Sequence, residues 1–380
     1  MLLTVKVWQK PTPLRDMAAG HTGQMADTAR IRLTSISSRA WEHPADRGAL
    51  VALRKLRGFD LILRQLSGFL NERAVRMLLL GSAVRVDQRQ FARVHRLYRE
   101  AGDALDAGEL PELFVRADPI INAMAVGLDT PVIVLNSGLL EVMDDDELRF
   151  VLGHELGHVL SGHAVYRTLL GVMLALSSTV FAIPFGALGA RAVIAALLEW
   201  QRKSELSGDR AGLLAAQQPE VALRAQMKMA SGGRIDELDA EAFLEQAGEY
   251  HANDDVRDVL IRVLMVETQT QPFAVVRAGE LHRWVTSGAY TRVLAGDYPH
   301  REDDAAASMT DEAAAAAASY AEEFQRFDAS LGGLLGDLGQ GLGQARDWLA
   351  DRFRDLGATA RGDDHRDDRR SDDRRGPSGW

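Results

Sequence analysis

The run His154-Glu155-Leu156-Gly157-His158 sets two side chains that bind divalent cations on either side of one that can move a proton. On an α-helix, residues four apart lie about 40° from each other and one turn up, so both imidazoles reach a single metal ion. Neutral imidazole is a good zinc ligand, and a hydrolytic zinc site keeps three protein ligands and one open position. The glutamate between the histidines supplies the chemistry. It takes a proton from an attacking water, whose pKa zinc lowers from about 16 to roughly 7. The chain has no cysteine, so the third side-chain ligand must come from His, Asp or Glu, and thiolate nucleophiles and disulfides are excluded.

His163, five residues beyond His158, points about 140° away if the helix continues through it. The longer three-histidine zinc motif needs glycine at 161 and histidine at 164, where this chain has Ser161 and Ala164. A carboxylate is the better third ligand. In Glu199-Trp-Gln-Arg-Lys-Ser-Glu205-Leu-Ser-Gly-Asp209, residues Glu205 and Asp209 are four apart and share a helix face. One can bind the metal while the other accepts the remaining N–H of a ligating histidine. Glu205 is the preferred ligand, and Glu199 competes with it.

These residues need rigid elements to bring them together. Asp144 followed by Glu147 is a capping box, which predicts a helix from about Asp145 to His163. Leu148, Val151, Leu152, Val159 and Leu160 form its apolar stripe, and Glu155 falls within that stripe. Just upstream, LFVRADPIINAMAVGLDTPVIVLNSG breaks into short apolar runs at Asp118-Pro119, Gly127, Thr130-Pro131 and Ser137-Gly138, the pattern of two or three short strands. Downstream, the patterning predicts a helix over about 190–217, ended by Pro219, and further helices near 219–231, 239–251 and 272–287. The fold class expected is α+β, mainly helical, with a small β-sheet. Residues 1–43 read as an irregular arm and 44–110 as helical, with Leu61, Leu66 and Leu70 among the periodic positions. The small sheet and metal site occupy 111–290 within a domain spanning 44–300. Residues 301–380 read as a helical stretch followed by a disordered tail of mixed Asp and Arg.

DPIINAMAVG, then HELGHVLSGH, then ELSGDRAG together resemble the M48 family of zinc metallopeptidases, the group of Ste24-like and HtpX-like proteases. The likeness runs from about Asp118 to Arg277. The blocks RAWEHPADR, LLEWQRKSELSGDRAG and LAGDYP are also similar to an actinobacterial branch of that family. The resemblance implies a zincin-type core with one Zn2+ per chain held by His154, His158 and Glu205. It implies Glu155 as general base and acid, Asp209 behind a ligand histidine, and a polypeptide substrate. It further implies that Asn122, Ala123 and Ala125 lie on an edge strand that binds substrate backbone by β-augmentation. Where the family commonly has alanine before the aspartate, this chain has Gly208, a small change expected to leave ligation undisturbed. Pro272 and Arg277 match a downstream family segment, but Gln271 replaces its histidine. Arg277 either pairs with Asp209 or stabilises an oxyanion; an ordinary surface ion pair is the plainer alternative.

From Thr168 to Ala190 the chain carries no charge, a length that could span a bilayer. Pro184, Gly186 and Gly189 interrupt it, Ser177-Ser178-Thr179 make its middle polar, and it sits between two ligand-bearing helices. A hairpin over 168–198, buried over the site or lying peripherally on a membrane, fits better than a span. The formal charge of −10 argues against nucleic-acid binding. The first residues hold no signal-peptide core, so the expected location is the cytoplasm or the cytoplasmic face of a membrane. The alternative to an endopeptidase is a catalytically weak or inactive zinc scaffold that binds a partner or membrane, for which Gln271 is the one departure in favour.

Overall fold

The computed structural model describes residues 30–55, 72–175, 187–252 and 273–304. All of them belong to the first of two compact units, Met1–Ala317. The positions Leu61, Leu66 and Leu70, Gln271 and Pro272, the middle of the 168–190 segment and the tail lie outside the described residues.

The elements run α1 (Pro44–Lys55), α2 (Glu72–Ser82), β1 (Val84–Arg85), α3 (Ala92–Ala104), β2 (Glu112–Arg116), β3 (Ala123–Val126), β4 (Val132–Asn136) and α4 (Ser137–Val142). They continue as α5 (Asp145–Leu160), α6 (His163–Ala175), α7 (Ala187–Ala216), α8 (Pro219–Ser231), α9 (Ala240–Ala252), α10 (Ala274–Thr286) and α11 (Ala289–Leu294). The fold is mainly helical with one small mixed sheet, ordered β1-β2-β4-β3. β2 and β4 run parallel, from Glu112 opposite Val132 to Arg116 opposite Asn136. β3 is antiparallel to β4, with Ala123 opposite Leu135 and Ala125 opposite Ile133. β4 is buried along its whole length, as its continuous Val-Ile-Val-Leu run requires for a strand with neighbours on both sides. Three strands, β2, β3 and β4, form in the stretch where two or three were expected; the two-residue β1 gave no pattern that a sequence could show.

α5 is the centre of the molecule. Its start follows the capping box: the Asp144 carboxylate accepts from the Glu147 N–H, and the Glu147 carboxylate accepts from the Asp144 N–H. From Glu147 to His158 every residue is buried, because α3, α7, α8 and β3 all pack against the helix. The single apolar stripe expected for α5 is therefore too modest a description; the helix has no solvent face over that span. Its end also differs from the expectation. α5 stops at Leu160, Gly162 takes a left-handed φ of 70°, and α6 starts afresh at His163. Glycine adopts that conformation without a Cβ penalty, so the turn forms there.

α7 crosses α5 at very short range. A Cβ added at Gly153 would lie 2.3 Å from the Ala215 Cβ, and one added at Gly157 would lie 2.4 Å from the Ala211 Cβ. Only small residues on both helices allow that approach, and it brings the Glu205–Asp209 turn of α7 against the HExxH turn of α5. Residues 30–43, set outside the domain by the sequence reading, place Leu33, Ile36 and Trp41 in the main core. Among the described residues no helix is long and apolar enough to cross a membrane.

Candidate metal centre

His154 and His158 lie on one face of α5, and their Nε2 atoms approach to 3.0 Å. Glu205 comes in from α7, its Oε2 3.4 Å from His154 Nε2 and its Oε1 3.5 Å from His158 Nε2. One ligand atom from each of the three side chains lies within 4.8 Å of the others, and all three residues are buried. Two imidazoles and a carboxylate form a donor set suited to a divalent metal with a fourth position free. Two further observations test the fit. The Oε2 of Glu155 is buried without a hydrogen-bond partner among the described residues, which is costly unless a cation or water compensates. Burial pulls the His154 pKa down, yet its bonds to Asp209 and Glu205 push it up to about 9. The centre thus calls for positive charge at His154 Nε2, and a metal ion there would take the place of that proton.

The neighbours place each of the residues the sequence left open. Glu199 is drawn away to Arg202, with Lys203 at 3.6 Å, and takes no part in the cluster. Asp209 lies behind His154, Oδ1 to Nδ1 3.1 Å, and also accepts from Gln226 Nε2 at 2.9 Å. Arg277 is not a surface residue. It is buried, donates through Nε and Nη2 to both oxygens of Asp209 at 2.8 and 2.6 Å, and places Nη1 3.3 Å from Glu205 Oε2. Burial alone would raise the Glu205 carboxyl, but Arg167 at 3.0 Å and Arg277 hold it well below the usual range. Burial, reinforced by Arg167, keeps His158 well below the ordinary histidine range, so that ring is neutral.

Glu155 Oε1 lies 4.0 Å from His154 Nε2, and burial pushes the carboxyl pKa upward. A cavity of about 30 Å³ opens beside it, bordered by Asn122, Ala123, Glu205 and Arg277. By the criterion that about 10–15 Å³ holds one water, there is room for at least one. β3 is the outer strand of the sheet on this side. Asn136 N donates to Asn122 O at 3.0 Å, so by the alternation of an antiparallel ladder the backbone groups of Ala123 and Ala125 face away from β4.

Gly208 is less neutral than expected. A Cβ there would lie 2.7 Å from Cε1 of the His154 ring, so the imidazole occupies the space an alanine methyl would fill. The sequence reading set His163 aside and missed Asp46 and Arg167. His163 Nδ1 lies 3.0 Å from His158 Nδ1, because the Gly162 turn brings it back instead of leaving it 140° away. The signals were present as HVLSGH and RAWEHPADR, but nothing local connected them.

A helix-borne HExxH motif, a carboxylate from a second helix and an adjoining edge strand define the architecture of a metalloprotease. The family model for peptidase family M48 matches residues 88–285, and the chain belongs to that family. It is 35% identical over 259 residues to the Plastoglobule-localized metallopeptidase 48, chloroplastic, of Arabidopsis thaliana, covering 67% of this chain and 74% of the plant protein. A Protease HtpX homolog of Bacillus subtilis is 40% identical over 86 residues, covering 22% of this chain and 28% of that protein. Protease HtpX of Xanthomonas euvesicatoria is 30% identical over 132 residues, 34% of this chain and 44% of that protein. The chain therefore spans less than half of either bacterial relative. No solved structure matches it.

Proposed function

We propose that this M48 metalloprotease is a zinc-dependent endopeptidase in which His154, His158 and Glu205 hold the ion and Glu155 is the general base and acid. The observation that carries the reading is the buried convergence of those three ligand atoms beside a carboxylate that has an unpartnered oxygen. Zinc, when bound, supplies a Lewis acid that polarises the scissile carbonyl and acidifies the attacking water. The remaining work belongs to the chain. Glu155, with its carboxyl raised by burial, accepts a proton from water held in the adjoining cavity and returns it to the leaving amine nitrogen. Asp209, clamped by Arg277 and Gln226, accepts the Nδ1–H of His154 and so directs the Nε2 lone pair inward. The outward-facing backbone groups of Ala123 and Ala125, next to Asn122, receive an extended substrate and set its scissile bond over Glu155.

The test uses wild type and Glu155→Gln, purified from metal-free buffer, with bound zinc measured and an unfolded protein such as casein as substrate. The expected result is one zinc in each and cleavage by the wild type alone. Stoichiometric zinc with equal cleavage by both proteins would remove Glu155 from the mechanism, and failure to take up zinc on reconstitution would sink the reading altogether.

A further inference from the structure

His154 has its carboxylate partner directly, in Asp209. The outer nitrogen of His158, Nδ1, faces a second imidazole at 3.0 Å instead of a carboxylate. That second ring, His163, places its Nε2 3.1 Å from Asp46 Oδ2. Asp46 in turn accepts the Ser207 hydroxyl at 2.6 Å, and the Ser207 oxygen accepts the backbone N–H of His43 at 2.8 Å. His158, His163, Asp46 and Ser207 are all buried to within 2% of full enclosure. Trp200 meets the His163 ring edge-on at 5.5 Å, and the Trp41 indole N–H donates to the Ser161 hydroxyl at 3.0 Å, pinning the turn between α5 and α6.

With both rings neutral, hydrogen bonding along this series permits one consistent arrangement of protons. Two ring nitrogens 3.0 Å apart can bond only if one carries the hydrogen and the other offers a lone pair. If His158 turns a bare Nε2 toward the metal, which rests on the zinc reading above, its proton sits on Nδ1. His163 Nδ1 must then accept, so the His163 proton sits on Nε2, where the Asp46 carboxylate receives it. The reverse arrangement sets a lone pair of His163 against a carboxylate and removes the lone pair that His158 would give to a metal.

We infer that Asp46 and His163 are positioning residues that fix the tautomer and orientation of His158, making the N-terminal segment part of the metal centre. Asp46 lies well before residue 88, where the family match begins. The inference therefore assigns to α1, outside the matched peptidase region, a share in metal affinity.

The experiment measures zinc affinity of the full chain by chelator competition in wild type, Asp46→Ala, His163→Ala and His163→Gln, and unfolding of each metal-free protein. The outer partners of metal-ligating histidines are typically worth about 10–100-fold in affinity. Both alanine variants are expected to lose zinc affinity within that range. The double variant should be no worse than His163→Ala, because the two residues act in series. His163→Gln should recover part of the loss, since its amide can accept from His158 and donate to Asp46. Zinc affinity within twofold of wild type in both alanine variants, with only metal-free stability reduced, would show a purely structural role and overturn the inference. Should an alanine variant not fold, nitrogen-15 NMR of the zinc-loaded wild type decides: His163 as the Nε2–H tautomer supports the relay, and as the Nδ1–H tautomer refutes it. Wild type that binds no zinc would overturn the metal reading, and this inference with it, before any variant is compared.

Discussion

Single side chains in this molecule are tuned mainly by burial against a few specific partners, and His43 shows the effect away from the metal centre. Its Nδ1 accepts the Ala45 N–H at 3.1 Å at the start of α1, a role open only to the neutral ring. Burial, with the Arg210 guanidinium close by, pushes its pKa down to about 4. The unfolded chain, with histidine near 6.5, then binds more protons than the folded one between about pH 4 and 6.5. Stability from His43 is fully present above pH 6.5 and is lost as pH falls toward 4. Denaturant unfolding of wild type and His43→Gln across that window should give a steeper decline in the wild type. Parallel curves would show that His43 does not titrate as described.

At the scale of elements, the contact of α5 with α7 decides whether a site exists at all. Gly153 and Gly157 of α5 meet Ala215 and Ala211 of α7 with no room for a further methyl. Gly157→Ala should therefore force the helices apart, with a destabilisation of about 1–3 kcal/mol, as for other overpacked cores. That would lower the unfolding midpoint by several degrees, at roughly 2–4 °C per kcal/mol for a domain of this size. An unchanged midpoint would mean that the crossing is looser than described. Much at this scale was legible in advance. The capping box of α5, the Pro219 start of α8 and the helices 219–231, 240–252 and 274–286 all follow from caps, prolines and periodicity. The end of α5 was not legible, because the periodic pattern runs on through Leu160 and only Gly162 signals the turn.

For the whole molecule, folding and metal binding are expected to be linked. A ligand that binds only the native state stabilises it by RT ln(1 + [L]/Kd), about 2.7 kcal/mol at a hundredfold excess over Kd. Adding zinc to metal-free protein should raise the unfolding midpoint with the logarithm of its concentration. Glu205→Ala should abolish most of that increment, since Glu205 is the candidate ligand that α7 supplies and a metal held through it would tie α5 to α7. A variant that keeps the full increment would remove Glu205 from the ligand set.

What the sequence by itself determined is what repeats along one helix. The spacing of His154 and His158, the position of Glu155 between them, and the pairing of Glu205 with Asp209 four residues on are properties of 3.6-residue periodicity, so they need no tertiary information. That pairing already ranked Glu205 above Glu199, but only the α5–α7 crossing brings a carboxylate of α7 up to the histidines. Tertiary structure alone buried Arg277 between Asp209 and Glu205, and turned His163 back to meet Asp46. Those contacts join residues far apart in the chain. They follow from how whole helices pack, a collective outcome that no local pattern of residue types encodes.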